Sequence, residues 1–156
     1  MASKLTPQAT ALLAEMARDH GLSSLEPNDD GLIPITLDDG FVFTLAFDGV
    51  NNAVFVMTAL ATTDAADVPD WPTFGWNAGT AERRTRIARA PDGALVLIRD
   101  MPLTGLEYWS FAKGLETFIS DASDAAAAFG LGPAPAATGG DGLTAFSPDE
   151  MVIIRP

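Results

Sequence analysis

Residues 32–60 read LIPITLDDGFVFTLAFDGVNNAVFVMTAL, and three strands can be marked off within them. Leu32 to Leu37 is apolar and short, and Pro34 suits an edge or an irregular position because it has no N–H for a ladder. Asp38-Asp39-Gly40 is a turn. From Phe41 to Phe47 the period is two: Phe41, Phe43, Leu45 and Phe47 share one face, and Val42, Thr44 and Ala46 take the other. Asp48 to Asn52 turns the chain again, with Gly49 and two asparagines able to accept positive φ. Ala53 to Leu60 is apolar on both faces, so it is covered on both sides or offers one side to a partner. Turns this short predict an antiparallel meander.

Upstream lies a punctuated helix. Thr6 is a cap, Pro7 suits the first helical position, and Gly21 stands where a left-handed stop is needed. Leu5, Leu12, Leu13, Met16 and Ala17 form its apolar stripe. Leu22 to Gly31 is a polar, acidic loop.

Downstream, Thr62 to Val68 is an acidic linker. Pro69 to Asn77, with two Trp, one Phe and two Pro, reads as a short irregular helix. Glu82 to Arg89 and Ala94 to Arg99 read as two strands joined at Pro91-Asp92-Gly93. Thr104-Gly105-Leu106-Glu107 has capping-box spacing. The helix it predicts runs to about Phe129 on Tyr108, Phe111, Leu115, Phe118, Ala122, Ala125 and Phe129, and Gly130 stops it. Gly114 inside that helix costs about 1 kcal/mol relative to Ala, which suggests close packing. Residues 1–130 form one α+β domain on this reading. Residues 131–156 form a linker rich in Ala, Pro and Gly and a C-terminal tail, in which Met151 to Ile154 adds a strand or stays disordered.

Composition excludes whole classes of function. The chain has 156 residues, a formal net charge of −12 and no cysteine. Nucleic-acid phosphates demand Lys and Arg, so nucleic acid is not expected as a partner. Disulfide scaffolds, cysteine zinc sites and thiol chemistry are excluded. No apolar run approaches the roughly 20 residues of a membrane span, so no membrane insertion is expected. The segment Met1 to Thr10 lacks the apolar core of a signal peptide, which points to a cytoplasmic location. Hydrophobic residues nevertheless make up 47% of the chain and charged ones only 19%, a balance that suits a protein presenting apolar surface to something.

No enzyme is expected. The single histidine, His20, ends the first helix, where it suits helix-end carbonyls better than base catalysis. A catalytic alternative needs a closed polar pocket containing His20 or several clustered carboxylates. Asp29-Asp30 and Asp38-Asp39 lack calcium-loop spacing and belong to turns. No phosphate-binding glycine motif occurs, and no cofactor or metal is called for.

Protein contact is the better use of these residues. Trp71, Phe74 and Trp76, beside prolines, suit either an interface between chains or a lid over the core. Arg83, Arg84, Arg86 and Arg89 are four of only nine basic residues, and read as a guarded strand edge or as a stripe pairing with acidic residues of another chain. Leu12, Met16, Phe43, Phe47, Phe55 and Met57 exceed what two helices can obviously cover. They are candidates for an open apolar surface that accepts an extended strand or an amphipathic helix.

Several segments in order resemble the class I type III secretion chaperones, the Tir-chaperone-like family. They are Ala17-Arg18-Asp19-His20-Gly21-Leu22, then Leu37-Asp38-Asp39-Gly40-Phe41-Val42-Phe43-Thr44-Leu45 and the apolar third strand. Ala94-Leu95-Val96-Leu97 and the step Met101-Pro102-Leu103 follow, leading into a helix with Leu115, Phe118 and Ile119. The resemblance covers roughly Leu12 to Phe129. The arginine-rich fourth strand and the tail after Gly130 depart from the family pattern. The resemblance implies the order α-β-β-β-α-β-β-α, an antiparallel twisted sheet with helices on one face, and a homodimer formed around the middle helix and a neighbouring strand. On that basis Trp71, Phe74, Trp76, Arg84 and Arg86 are candidates for the dimer interface, and the six apolar residues for effector binding. The implied activity is binding the N-terminal segment of a secreted effector in the bacterial cytoplasm, keeping it soluble and secretion-competent without ATP. A secretion-apparatus ATPase is a further implied partner. The alternative is a non-catalytic regulatory α+β domain that masks a folded partner.

Overall fold

The computed structural model describes residues 5–61, 76–77, 84–89, 94–129 and 152–154. In chain order the elements are α1 (Pro7–Asp19), β1 (Leu32–Leu37), β2 (Val42–Asp48), β3 (Ala53–Ala61), β4 (Thr85–Arg89), β5 (Leu95–Pro102), α2 (Tyr108–Ala128) and β6 (Val152–Ile154). The expected middle helix falls largely outside the described residues, of which Trp76 and Asn77 are helical. The expected linker from Leu131 and the turn at Pro91 also lie outside them.

Helix α1 begins and ends as its sequence dictates. The Thr6 hydroxyl accepts from Ala9 N at 3.2 Å, satisfying one of the first-turn donors that have no helical partner. At the other end Gly21 takes φ +67. Leu22 N then bonds Ala17 O at 2.7 Å and Gly21 N bonds Arg18 O at 3.3 Å, a Schellman closure.

The sheet order is β4-β5-β3-β2-β1-β6. Neighbours from β1 to β5 pair antiparallel; β6 pairs parallel with β1, Ile35 to Leu37 against Val152 to Ile154. Pro34, which has no N–H to give, lies just beyond that short pairing. Turn chemistry closes the meander. Asp39 Oδ1 accepts from Phe41 N at 2.9 Å, and Gly40 takes φ +85. Asp48 accepts from Val50 N, Asn51 N and Asn51 Nδ2, and Asn52 supplies the positive φ. These donors hold the Asp48 carboxyl below its ordinary pKa.

Register assigns the faces. Ile33 stands opposite Leu45, Leu45 opposite Val56, Phe47 opposite Val54, Val54 opposite Met101 and Thr85 opposite Arg99, so one inner face runs across five strands. Both helices pack there. Leu12, Leu13 and Met16 of α1 and Phe111, Leu115 and Phe118 of α2 join Ile33, Ile35, Phe43, Leu45, Val56 and Leu97 in one buried core. The rings of Phe43 and Phe118 meet edge-on, with centroids 6.5 Å apart. The α+β class, the antiparallel meander and the helices on one face are as expected.

One local expectation does not hold. The capping box at Thr104–Glu107 does not form. Gly105 turns the chain at φ +69, the Thr104 hydroxyl accepts from Asn52 Nδ2 at 2.9 Å, and the Glu107 carboxylate accepts from the Trp109 indole N–H. Helix α2 therefore starts at Tyr108, with Glu107 at the cap position and no side-chain cap bond. A left-handed glycine between the two capping partners diverts both of them.

Candidate functional site

The outer face of the sheet is built by the alternate residues of the same strands. Phe55 stands between Ala46 and Asp100, Met57 between Thr44 and Ile98, and Ala59 beside Val96. Val96 is buried, whereas Phe55, Met57, Ala59 and Ile98 are half-buried. Neither α1 nor α2 packs on this side. The double-sided apolar pattern of β3 thus arises from a core on one face and a broad apolar surface on the other.

This geometry divides the six residues expected to form one effector surface. Leu12, Met16 and Phe43 are 4%, 1% and 2% exposed and belong to the core between helices and sheet. A partner would reach them only by displacing α1, so a surface role for these three is corrected to a packing role. Phe47 is half-buried against the same core. Phe55 and Met57 alone of the six lie on the outer face.

Of the residues expected at a dimer interface, Trp71 and Phe74 lie outside the described residues. Trp76 is partly buried against the core. Its neighbour Asn77 anchors this segment: the side-chain amide donates to Ile87 O and accepts from Ile87 N, both at 2.9 Å. One side chain thereby pairs with edge strand β4 as a backbone would. Arg84 and Arg86 are exposed, Arg84 just before β4 and Arg86 opposite Ile98 on the outer face.

The structure also brings together residues with no motif spacing. Thr85, fully buried on β4, donates its hydroxyl to Asp121 Oδ2 of α2. Arg99 of β5 places Nη1 3.3 Å from Thr85 Oγ1 and 4.0 Å from Asp121 Oδ2. The cluster ties β4, β5 and α2 with one carboxylate and one guanidinium. Asp121 carries a signal in the sequence: it falls on the apolar stripe three residues after Phe118, where an acid needs a partner. Nothing in the sequence names Arg99 as that partner.

At the other end of α2, Tyr108 donates its hydroxyl to Asp19 Oδ2 at 2.8 Å, locking the two helices. Burial first, then the Asp19 hydrogen bond and charge, push the Tyr108 phenol up to about 12. Beside it Trp109 is 68% exposed. Gly114 has its reason in Met101: a Cβ at Gly114 would run into Met101 Sδ.

Among the described residues no group of three or more His, Cys, Asp or Glu is placed to hold a metal ion, and no helix is long and apolar enough to cross a membrane. His20 caps α1, its N–H bonded to Met16 O at 3.1 Å.

No family model matches the chain, and no curated protein matches its sequence. Solved structures do match. A chain of the ExsC–ExsE complex is 18% identical with a TM-score of 0.67, over 78% of this chain and 93% of that one. A chain of the HopA1–SchA chaperone–effector complex is 15% identical with a TM-score of 0.66, over 77% of this chain and 94% of that one. The complex of the Yersinia pestis type III secretion chaperone SycH with a stable fragment of YscM2 provides a third, 17% identical with a TM-score of 0.56, over 74% and 97%. The likeness spans nearly the whole of those chains and only part of this one. At these identities it is a likeness of fold, and the chain has the fold of type III secretion chaperones.

Proposed function

We propose that this protein is a type III secretion chaperone. It binds an extended N-terminal segment of a secreted effector in the bacterial cytoplasm and keeps it soluble and secretion-competent without ATP. The observation that carries this reading is the fold match to a chain of the HopA1–SchA chaperone–effector complex, covering 94% of it, and to a chain of the complex of the type III secretion chaperone SycH, covering 97%. The chemistry is compatible with it. An apolar sheet face around Phe55 and Met57 offers pockets for alternate side chains of an extended partner. The ordering cost of such a partner keeps its binding reversible. A net charge of −12 keeps an apolar binder dispersed.

The working unit is a homodimer in this proposal, formed through the segment of Trp71, Phe74 and Trp76 with Arg84 and Arg86. Delivery to a secretion-apparatus ATPase follows cargo capture.

The decisive experiment is recovery of partners from the native cytoplasm on the tagged full chain, followed by hydrogen exchange on the recovered complex. The expected result is one or a few secreted proteins, each with a disordered N-terminal segment that becomes protected on binding. Protection confined to the surface of a partner that is already folded would favour the masking domain instead. A strictly monomeric mass by light scattering at micromolar concentration would remove the homodimer.

A further inference from the structure

A cavity of about 270 Å³ lies between the start of α2 and the β5 side of the sheet. Its lining includes Met101, Leu106 and Gly114, and around these stand Arg84, Arg99, Lys113 and Trp109. Dedicated small-molecule sites run to about 300–1,000 Å³, so this space suits one or two side chains of a longer ligand better than a cofactor. Trp109 is exposed on its rim, and tryptophan is among the side chains enriched as anchors between chains.

The charge here is opposite to that of the molecule. Three of the nine Lys and Arg residues of a chain with net charge −12 line one groove. Asp121 offsets Arg99 in part, at 4.0 Å. The Arg99 Nε is buried and meets no hydrogen-bond acceptor among the described residues. Lys113 bonds Glu116 at 3.1 Å, but both side chains are about 70% exposed, and a pair that wet yields easily to a better partner. Across Trp109 a second groove is lined by Glu15 and Glu107, of the other sign. Trp109 is therefore a ridge between a basic and an acidic groove.

We propose that the basic groove receives an acidic stretch of a bound polypeptide, whose neighbouring apolar side chain lies over Trp109. Small anions make no use of the tryptophan, and nucleic acid is repelled by the rest of the surface. The identification of this polypeptide as secretion cargo rests on the chaperone reading; the groove and its preference for acid do not. Phe55 and Met57 read apolar side chains, whereas this groove reads charge and sets the register of the chain crossing α2.

The test uses the full chain labelled with ¹⁵N and two blocked peptides of equal length, one alternating aspartate and leucine, the other lysine and leucine. The Trp109 indole signal is identified by its loss in Trp109→Phe. The expected result is that the acidic peptide moves this signal at low salt, that added salt weakens the effect, and that the basic peptide leaves it in place. The exposed reversal Lys113→Glu lowers affinity for the acidic peptide by about threefold or more, with an unchanged melting curve. Equal shifts with both peptides, or no shift of Trp109 with the acidic one, overturn the proposal. Native cargo that binds the Lys113→Glu variant as tightly as the parent also overturns it, leaving the chaperone reading intact. Charge-selective peptide binding in a protein that recovers no cargo keeps the groove and removes the chaperone reading.

Discussion

The two faces of the sheet are both apolar along β3 and opposite in fate. The inner face, through Ile33, Phe43, Leu45, Val56 and Leu97, is closed by two helices. The outer face, through Phe55, Met57, Val96 and Ile98, leaves three of these four half-buried. Strand β3 serves both. Hydrophobicity alone therefore does not mark a binding surface; what marks it is apolar area left over once the helices have been used.

The largest test of this contrast is Phe118→Ala on the inner side. Phe118 is fully buried against Phe43, and its truncation is expected to cost about 3–5 kcal/mol in denaturant unfolding. A loss below about 1 kcal/mol would mean the inner face is not the core.

Next in size is Asp121→Ala, which leaves the Arg99 guanidinium, 16% exposed, without its carboxylate and Thr85 without its acceptor. An expected loss of about 2–3 kcal/mol follows from stranding a largely buried charge. Replacing Asp121, Arg99 and Thr85 together by apolar residues is expected to recover much of it.

On the outer face Met57→Asp, at a half-buried site, is expected to cost about 1–2 kcal/mol in unfolding while abolishing cargo co-purification. A Met57→Asp protein that still carries its full complement of partner would move the functional face elsewhere.

The smallest effect belongs to the rim. Tyr108 is the only tyrosine, so phenolate absorbance reports it alone. Its titration is expected near 12, and Asp19→Asn is expected to bring it down. A raised pKa means that the folded protein favours the protonated phenol. The associated stabilisation is present below pH 10, the ordinary tyrosine value, and is lost as pH rises through about 12.

What the sequence made legible was local. Strands β1 to β3, the caps of α1 and the stripe of α2 came from period, turn residues and glycine placement, each set within a few residues. What it hid was tertiary. The period puts Phe43 and Phe47 on one face and Met16 on a helix stripe, but it does not say that the two apolar surfaces close on each other. For that reason the sequence alone leaves Leu12, Met16 and Phe43 as candidates for an open surface. The capping box failed because spacing ignores the left-handed turn at Gly105. Arg99 and Thr85 could not be matched to Asp121 because the three meet only after β4, β5 and α2 have assembled.

The pairing of Asn77 with Ile87 has a consequence for crowded solutions. The edge of a sheet is a template on which any extended chain can add, another copy of the same protein included. At Ile87 that template is blocked by two bonds from a single side-chain amide. A chaperone of the kind proposed has particular need of such a stop, since an unguarded edge cannot tell a client from a sibling. One asparagine there closes the edge at Ile87 to a further strand.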